Sequence, residues 1–309
     1  MKEFEKQYKD YLSDFKSWDQ KDHSEEWLIF PENIGEKLSI DETAVSNGEL
    51  YTIITNKKAK GQKGALVAMI HGTKSAGIIP ILNKIPSEKR SEVKEITLDM
   101  AGSMELISKN AFSNATQVID RFHVQQLVSE AVQEIRIDLR RTAIKEENEN
   151  IKQARKEKKR YYLETFKNGD TKKQLLARSR YLLFKPRSKW TESQGERSEI
   201  LFKEFPEIKN AYDLSMMFRS FYENSKTVLE AKEKLNKWHR KIEEKNLDSF
   251  LTASESIRLY ETKILNYFLN RSTNASAESF NAKLKGLRSV VRGVRDKKFF
   301  LFRIAKLYG

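Results

Sequence analysis

Two changes of texture divide the pattern of apolar and polar positions along the chain. Up to about residue 36, apolar and aromatic residues recur at roughly helical spacing (Phe4, Tyr8, Tyr11, Leu12, Phe15, Trp18) until Pro31 and Gly35 interrupt them, which predicts a short helix and a linker. From Lys37 onward, short apolar runs of strand length take over: Leu38-Ser39-Ile40, Leu50 to Ile54, Ala65 to Ile70, Ile96-Thr97-Leu98 and Thr116 to Ile119. The first three lie close together, with Asn47-Gly48 as a tight-turn signal, and predict an antiparallel meander. The last two are separated by stretches able to form helices, Ile78 to Lys84 and Met100 to Lys109, as when strands join a sheet through crossovers. From about Gln125 to Asn270 the strand signal gives way to Glu, Lys, Gln, Arg, Leu and Ala. Pro186 and Pro206 divide that region into at least three helical stretches, of which Leu229 to Lys245 is charged and amphipathic. The order is α/β first, all-helical afterwards.

Charge narrows the choice of partner. Lys and Arg number 58 against 44 Asp and Glu, a net charge of +14 that favours nucleic acid or an anionic membrane surface. The longest apolar run, Ala65 to Ile70, is far too short to cross a bilayer, and Met1-Lys2-Glu3-Phe4 opens no signal peptide, so a soluble protein that stays inside the cell is expected. Cysteine is absent, which excludes disulfides and cysteine-based zinc fingers within this chain. The basic run Lys152 to Arg160 reads as a solvated helix face before it reads as a DNA contact.

Candidate chemistry lies in carboxylates. Asp41 and Asp99 each follow a strand-like run, where a side chain can face a crevice beside the sheet, although each alone also fits an ordinary turn or cap. Further on, Ser272 to Ala277 supply capping residues ahead of Glu278. At 100° per residue, Glu278, Asn281, Lys285, Arg288 and Arg292 share one side of that helix, and Phe280, Leu284, Leu287 and Val291 the other. The apolar stripe would pack on the sheet. The opposite ridge would either position a phosphate backbone or be a plain solvated basic face. Asp120 and His123, at the last strand's end, could orient one another, and His123 alone also reads as structural. With only four histidines, a histidine metal cluster is not expected. Three carboxylates suit magnesium, a hard cation taking oxygen ligands, and two such ions roughly 3.5–4 Å apart can serve an in-line phosphoryl displacement. No Gly-rich phosphate loop with its Lys, nucleophilic Cys or His-Glu-x-x-His helix competes with that chemistry.

Together the blocks Leu38 to Thr43, Val93 to Met100, Val118 to Val124 and Asn274 to Asn281 resemble the signature segments of DDE transposases from bacterial insertion sequences, of the ISL-three-like group and its ISAon-one type. Gly293 to Arg303 is similar to that family's C-terminal end, and the phrase Leu98-Asp99-Met100 followed at this distance by Asp120-Arg121-Phe122-His123 is the more specific part. The resemblance implies an RNase H-like fold whose mixed sheet, three antiparallel strands then two parallel, is interrupted by a large all-helical insertion. It divides the chain into 1–36, an N-terminal helix and linker; 37–128, the first part of the catalytic core; 129–270, the insertion; and 271–309, the part of the core carrying Glu278. It implies a triad of Asp41, Asp99 and Glu278 holding two magnesium ions, with manganese able to substitute, and a supporting role for Asp120 and His123. The ridge of Asn281, Lys285, Arg288 and Arg292 is then the expected DNA contact. The implied activity is cleavage at the element's ends and strand transfer of 3′-hydroxyls into double-stranded target DNA. A resolvase-like nuclease without strand transfer and a catalytically silent DNA-binding relative are the rival readings. A homodimer in the cytoplasm, associated with the nucleoid, is expected because two ends must be handled together. Larger relatives carry a cysteine-based zinc segment and a helix-turn-helix ahead of the core; here a separate helix-turn-helix subunit or a truncated copy is implied.

Overall fold

The structure, a computed structural model, describes residues 6–46, 48–290 and 294–309. The chain divides into two units, Met1–Arg121 with Thr262–Gly309, and Phe122–Glu261.

In the first unit a six-stranded mixed sheet runs in the order β1 (Trp27–Ile29), β4 (Leu66–His71), β3 (Glu49–Asn56), β2 (Lys37–Ser46), β5 (Glu95–Leu98) and β6 (Thr116–Ile119). β1 to β4 pair antiparallel wherever they meet, whereas β5 and β6 join parallel to β2 and to each other. Helices α1 (Ser75–Leu82), α2 (Ser87–Ser91) and α3 (Gly102–Ala111) follow β4 and β5 in sequence, and α1 packs on β4 and α3 on β5. Both faces of the central strands are covered, since Leu38 and Ile40 on one side and Ser39 and Thr43 on the other are buried. That is why these strands read as nearly continuous apolar runs and not as a clean alternation.

The second face is covered by chain that returns from far downstream. α12 (Ala275–Val290) and α13 (Lys297–Tyr308) bring Phe280, Leu284, Phe299 and Phe302 onto Val45, Tyr51, Ile53 and Met69, joined by Phe15 and Trp18. Fully burying a side chain such as Phe280 contributes roughly 1.5–3 kcal/mol, so this layer docks by apolar area. Gly48, at the β2–β3 hairpin, has the left-handed φ of +82° that its turn demands; Asn47, the other half of the expected turn, lies outside the described residues.

Two expectations are corrected. Residues Trp27–Ile29 form a strand where only a linker was expected, because a three-residue strand is too short to show a period and pairs through its backbone with β4. Asp41 lies within β2, not after it, because the ladder with β3 continues through Asp41↔Ile53 to Ser46 although the side chains there are polar. Each edge of the sheet meets a side-chain amide. Gln20 bonds both the N–H and the carbonyl of Ile29 on β1 at 3.0 Å, and Asn266 donates to the Gln117 carbonyl of β6 at 2.9 Å.

The second unit is helical: α4 (Arg121–Lys156), α5 (Lys172–Arg178), α6 (Glu192–Glu204), α7 (Pro206–Asn224), α8 (Val228–Lys245) and α9 (Asp248–Leu259). Its core gathers Leu175, Leu201, Phe218, Phe221, Leu235, Trp238 and Phe250, all essentially without exposure, and the Trp238 indole donates to the Leu214 carbonyl at 3.0 Å. Thr191 and Gln194 form a reciprocal capping box that starts α6. The chain returns to the first unit through α10 (Glu261–Leu265) and α11 (Tyr267–Asn270).

Candidate active site

Parallel pairing of β2 with β5 sets the frame. Lys37, Leu38 and Ser39 face Glu95, Ile96 and Thr97, and the same register carried two residues further brings Asp99, the first residue after β5, level with Asp41. Asp120 is likewise the first residue after β6, held there by its own N–H bonding the Leu98 carbonyl at 2.9 Å. The Asp41 carboxylate accepts the Glu42 N–H at 2.7 Å through Oδ1 and the Asn281 amide at 2.6 Å through Oδ2.

Asn281 belongs to α12, whose placement over the sheet rests on more than its apolar stripe. Ala277, Phe280 and Leu284 are buried beneath it. The Lys283 ammonium donates to the Gly61 carbonyl at 2.7 Å, which Gly61 presents from a left-handed turn with φ +68°. Ahead of the helix, the buried Asn274 donates its N–H to Asp120 Oδ1 at 3.3 Å, and its carbonyl accepts the Glu278 N–H at 3.0 Å. Glu278 therefore sits exposed in the first turn, where a carboxylate is favoured by the helix dipole. Lys285 is exposed and Arg288 half-buried further along; Arg292 and Val291 lie outside the described residues. Of the expected ridge, Asn281 thus turns to Asp41, while Lys285 remains open to solvent. His123 is half-buried in the first turns of α4.

A second polar cluster lies along the same parallel edge. Lys57, in the turn after β3, donates to Thr97 Oγ1, to Ser272 Oγ at 2.8 Å and to Glu95 Oε1 at 3.4 Å, while Asn270 donates to Glu95 Oε2 at 3.1 Å. Side-chain exposure is only 11% for Lys57 and 4% for Glu95, so this is a buried ion pair with its remaining lone pairs and protons engaged. Burial pulls the Lys57 pKa below the ordinary lysine range, with Glu95 opposing. Burial alone would raise the Glu95 pKa, yet the Ser272 hydroxyl, Lys57 and Asn270 together hold it below the ordinary glutamate value. The cluster joins the β3 turn, β5 and the segment that leads into α12. Glu42 is a further carboxylate of the neighbourhood, its pKa raised by burial and by the negative charge of Asp99. Sequence reasoning singled out none of these, since a Lys and a Glu far apart in the chain read as solvated charges until tertiary structure buries them together.

The donor set suits a hard divalent cation, since Asp41, Asp99 and Glu278 offer only carboxylate oxygens. The β2–β5 pairing ends at Ser39↔Thr97, two residues short of Asp41 and Asp99; among the described residues no three acidic or imidazole side chains stand close enough to hold an ion together. Among the described residues no helix is long and apolar enough to cross a membrane.

Aspartates follow or lie in the parallel strands of a mixed α/β sheet, in a chain of net charge +14. A family model described as transposase, of the DDE, ISL-three group, matches residues 38–304. The chain belongs to that transposase family. No curated protein matches it.

Proposed function

We propose that the chain is the catalytic subunit of an insertion-sequence transposase with an RNase H-like core, residues 37–128 and 271–309, and an all-helical insertion between them at 129–270. The observation that supports this reading is the parallel β2–β5 pairing, which runs toward Asp41 and Asp99, together with a helix that bears Glu278 and reaches back to Asp41 through Asn281. The family match supports it independently.

Asp41, Asp99 and Glu278 would hold two magnesium ions, with manganese able to substitute, whose chemistry is activation of the attacking oxygen and stabilisation of the leaving one. Asn281 fixes the Asp41 carboxylate in one orientation, and Asp120 holds the backbone that starts α12, with His123 beside it in sequence as a further supporting group. Lys285 and Arg288 bring cations to the DNA backbone along the same helix, and Arg292, outside the described residues, is assigned to the same contact by its sequence spacing. On this reading the subunit cleaves at the element's ends and joins the freed 3′-hydroxyls to target DNA. It works as a homodimer on double-stranded DNA in the cytoplasm, at the nucleoid.

Asp99→Asn tests the assignment: magnesium-dependent strand cleavage disappears while DNA binding survives, and unchanged cleavage rejects it. Pre-cleaved ends separate the neighbouring readings, because a nuclease or resolvase leaves them unjoined and a silent DNA-binding relative neither cuts nor joins.

A further inference from the structure

The helical unit carries its own concentration of positive charge. Arg136 and Arg140 stand one turn apart on α4, so they share a face. The segment containing α5 runs back along that face, since Arg136 Nη1 donates to the Leu176 carbonyl at 2.9 Å and Gln133 Nε2 to the Arg180 carbonyl at 3.4 Å. Three guanidiniums therefore gather on one patch, and none of them makes an ion pair among the described residues.

The carboxylates nearby are turned away or engaged. Glu134 and Asp138 fall on the opposite side of α4 at 100° per residue, and Asp138 bonds Arg141 at 3.0 Å. Glu147 shares the face but takes the Lys173 ammonium at 2.5 Å. Asp170 is bonded by Arg178 and, at 3.1 Å, by Arg197.

Burying a cation without a counter-ion is costly, and Arg136 is only 6% exposed. Its partners are two neutral acceptors, the Leu176 carbonyl and the Gln133 amide oxygen at 2.7 Å. Leu176 lies in the last turn of α5, whose end carries about half a negative charge, too little to offset three cations. Burial, and then the charges of Arg180 and Arg140, lower the Arg136 pKa, which is the electrostatic signature of that crowding.

From this geometry we infer that Arg136, Arg140 and Arg180 form a binding site for the phosphate backbone of DNA on the helical unit. Two exposed guanidiniums beside a buried one, that of Arg180 lying over the Tyr181 ring, suit the bidentate grip that arginine makes on phosphate. The inference rests on the reading of the chain as a DNA-acting transposase and adds a second contact surface, separate from the α12 ridge.

The test uses the full chain and a fluorescein-labelled double-stranded oligonucleotide, with affinity read by anisotropy between 50 and 200 mM salt, a range of about the usual width for such titrations. Arg140→Ala with Arg180→Ala removes the two exposed members and leaves the structural bonds of Arg136 in place. The slope of log affinity against log salt falls by about 1 per arginine removed, so by about 2 in the double variant. Arg140→Lys with Arg180→Lys, which keeps the charge, retains most of the slope. Lys232→Ala with Lys237→Ala, exposed cations on α8, lowers net charge equally and leaves the slope unchanged. If the wild-type protein binds DNA and the double-alanine variant shows the same slope and affinity, the site is wrong while the transposase reading stands. If the alanine pair on α8 lowers the slope equally, net charge explains the effect and the site is also wrong. If the wild-type protein binds no DNA at any salt in the range, the transposase reading fails and takes the inference with it.

Discussion

Replacing Lys57 with Met removes the cation of the buried pair while nearly keeping its volume, leaving Glu95, at 4% side-chain exposure, as a stranded charge. Removing one partner of a buried pair costs about 3–5 kcal/mol in general. Glu95 keeps the Asn270 amide at 3.1 Å and the half-exposed Lys37 at 3.8 Å, which places the expected loss near the lower end, about 3 kcal/mol. For a unit of this size that is a fall in melting temperature of roughly 6–12 °C. Adding Glu95→Gln removes the stranded charge and restores most of the loss. The loss should concentrate where the cluster ties elements together, so hydrogen exchange of amides in β5 and at the start of α12 is the assay. The acid limb gives a second readout. Because the folded pKa of Glu95 is depressed, its contribution is fully present above the ordinary glutamate value and is lost as pH falls through the depressed one. In Lys57→Met that limb flattens. A variant within about 0.5 kcal/mol of wild type, the range of an ordinary surface substitution, with an unchanged acid limb, would refute the claim that the pair holds this edge together.

Asn281→Asp sets a second carboxylate where an amide now meets Asp41 at 2.6 Å; protection of the α12 amides should be lower at about pH 8 than at about pH 5, roughly one unit above ordinary carboxylate values, where the paired carboxyls share a proton, and equal protection at both would count against the contact. In the helical unit, burial and then Arg258 lower the His239 pKa to about 4, and its Nδ1 already meets Ser254 Oγ at 2.6 Å. The unfolded chain therefore takes up the proton first, and stability falls as pH drops from 6.5 towards 4, by at most about 3 kcal/mol. Denaturant midpoints followed by Trp238 fluorescence should show that slope in wild type and lose it in His239→Gln; parallel curves would contradict it.

Strands with a dense apolar signal were legible from sequence: Leu50 to Ile54, Ile96 to Leu98 and Thr116 to Ile119 fall on β3, β5 and β6, and Ala65 to Ile70 on β4 but for Ala65. So was the amphipathic stretch that became α8. The extension of β2 through Asp41-Glu42-Thr43 was not, because its cause is the ladder with β3, which leaves no trace in side-chain polarity. Phe280 and Leu284 announced the docking face of α12 by their spacing, yet the turn of Asn281 toward Asp41 depends on how that helix is rotated over the sheet. Lys57 and Glu95 were illegible for a related reason: their burial is a property of four converging segments and of neither residue's neighbours in sequence.

Gln20 and Asn266 stand at the two open rims of the sheet. An open sheet normally invites a foreign strand to continue its ladder, a hazard proteins counter with charge, proline or cover. Here a glutamine mimics the missing neighbour at one rim, donating and accepting at Ile29, and an asparagine occupies the Gln117 carbonyl at the other. A strand adding at either rim would first have to displace an amide there.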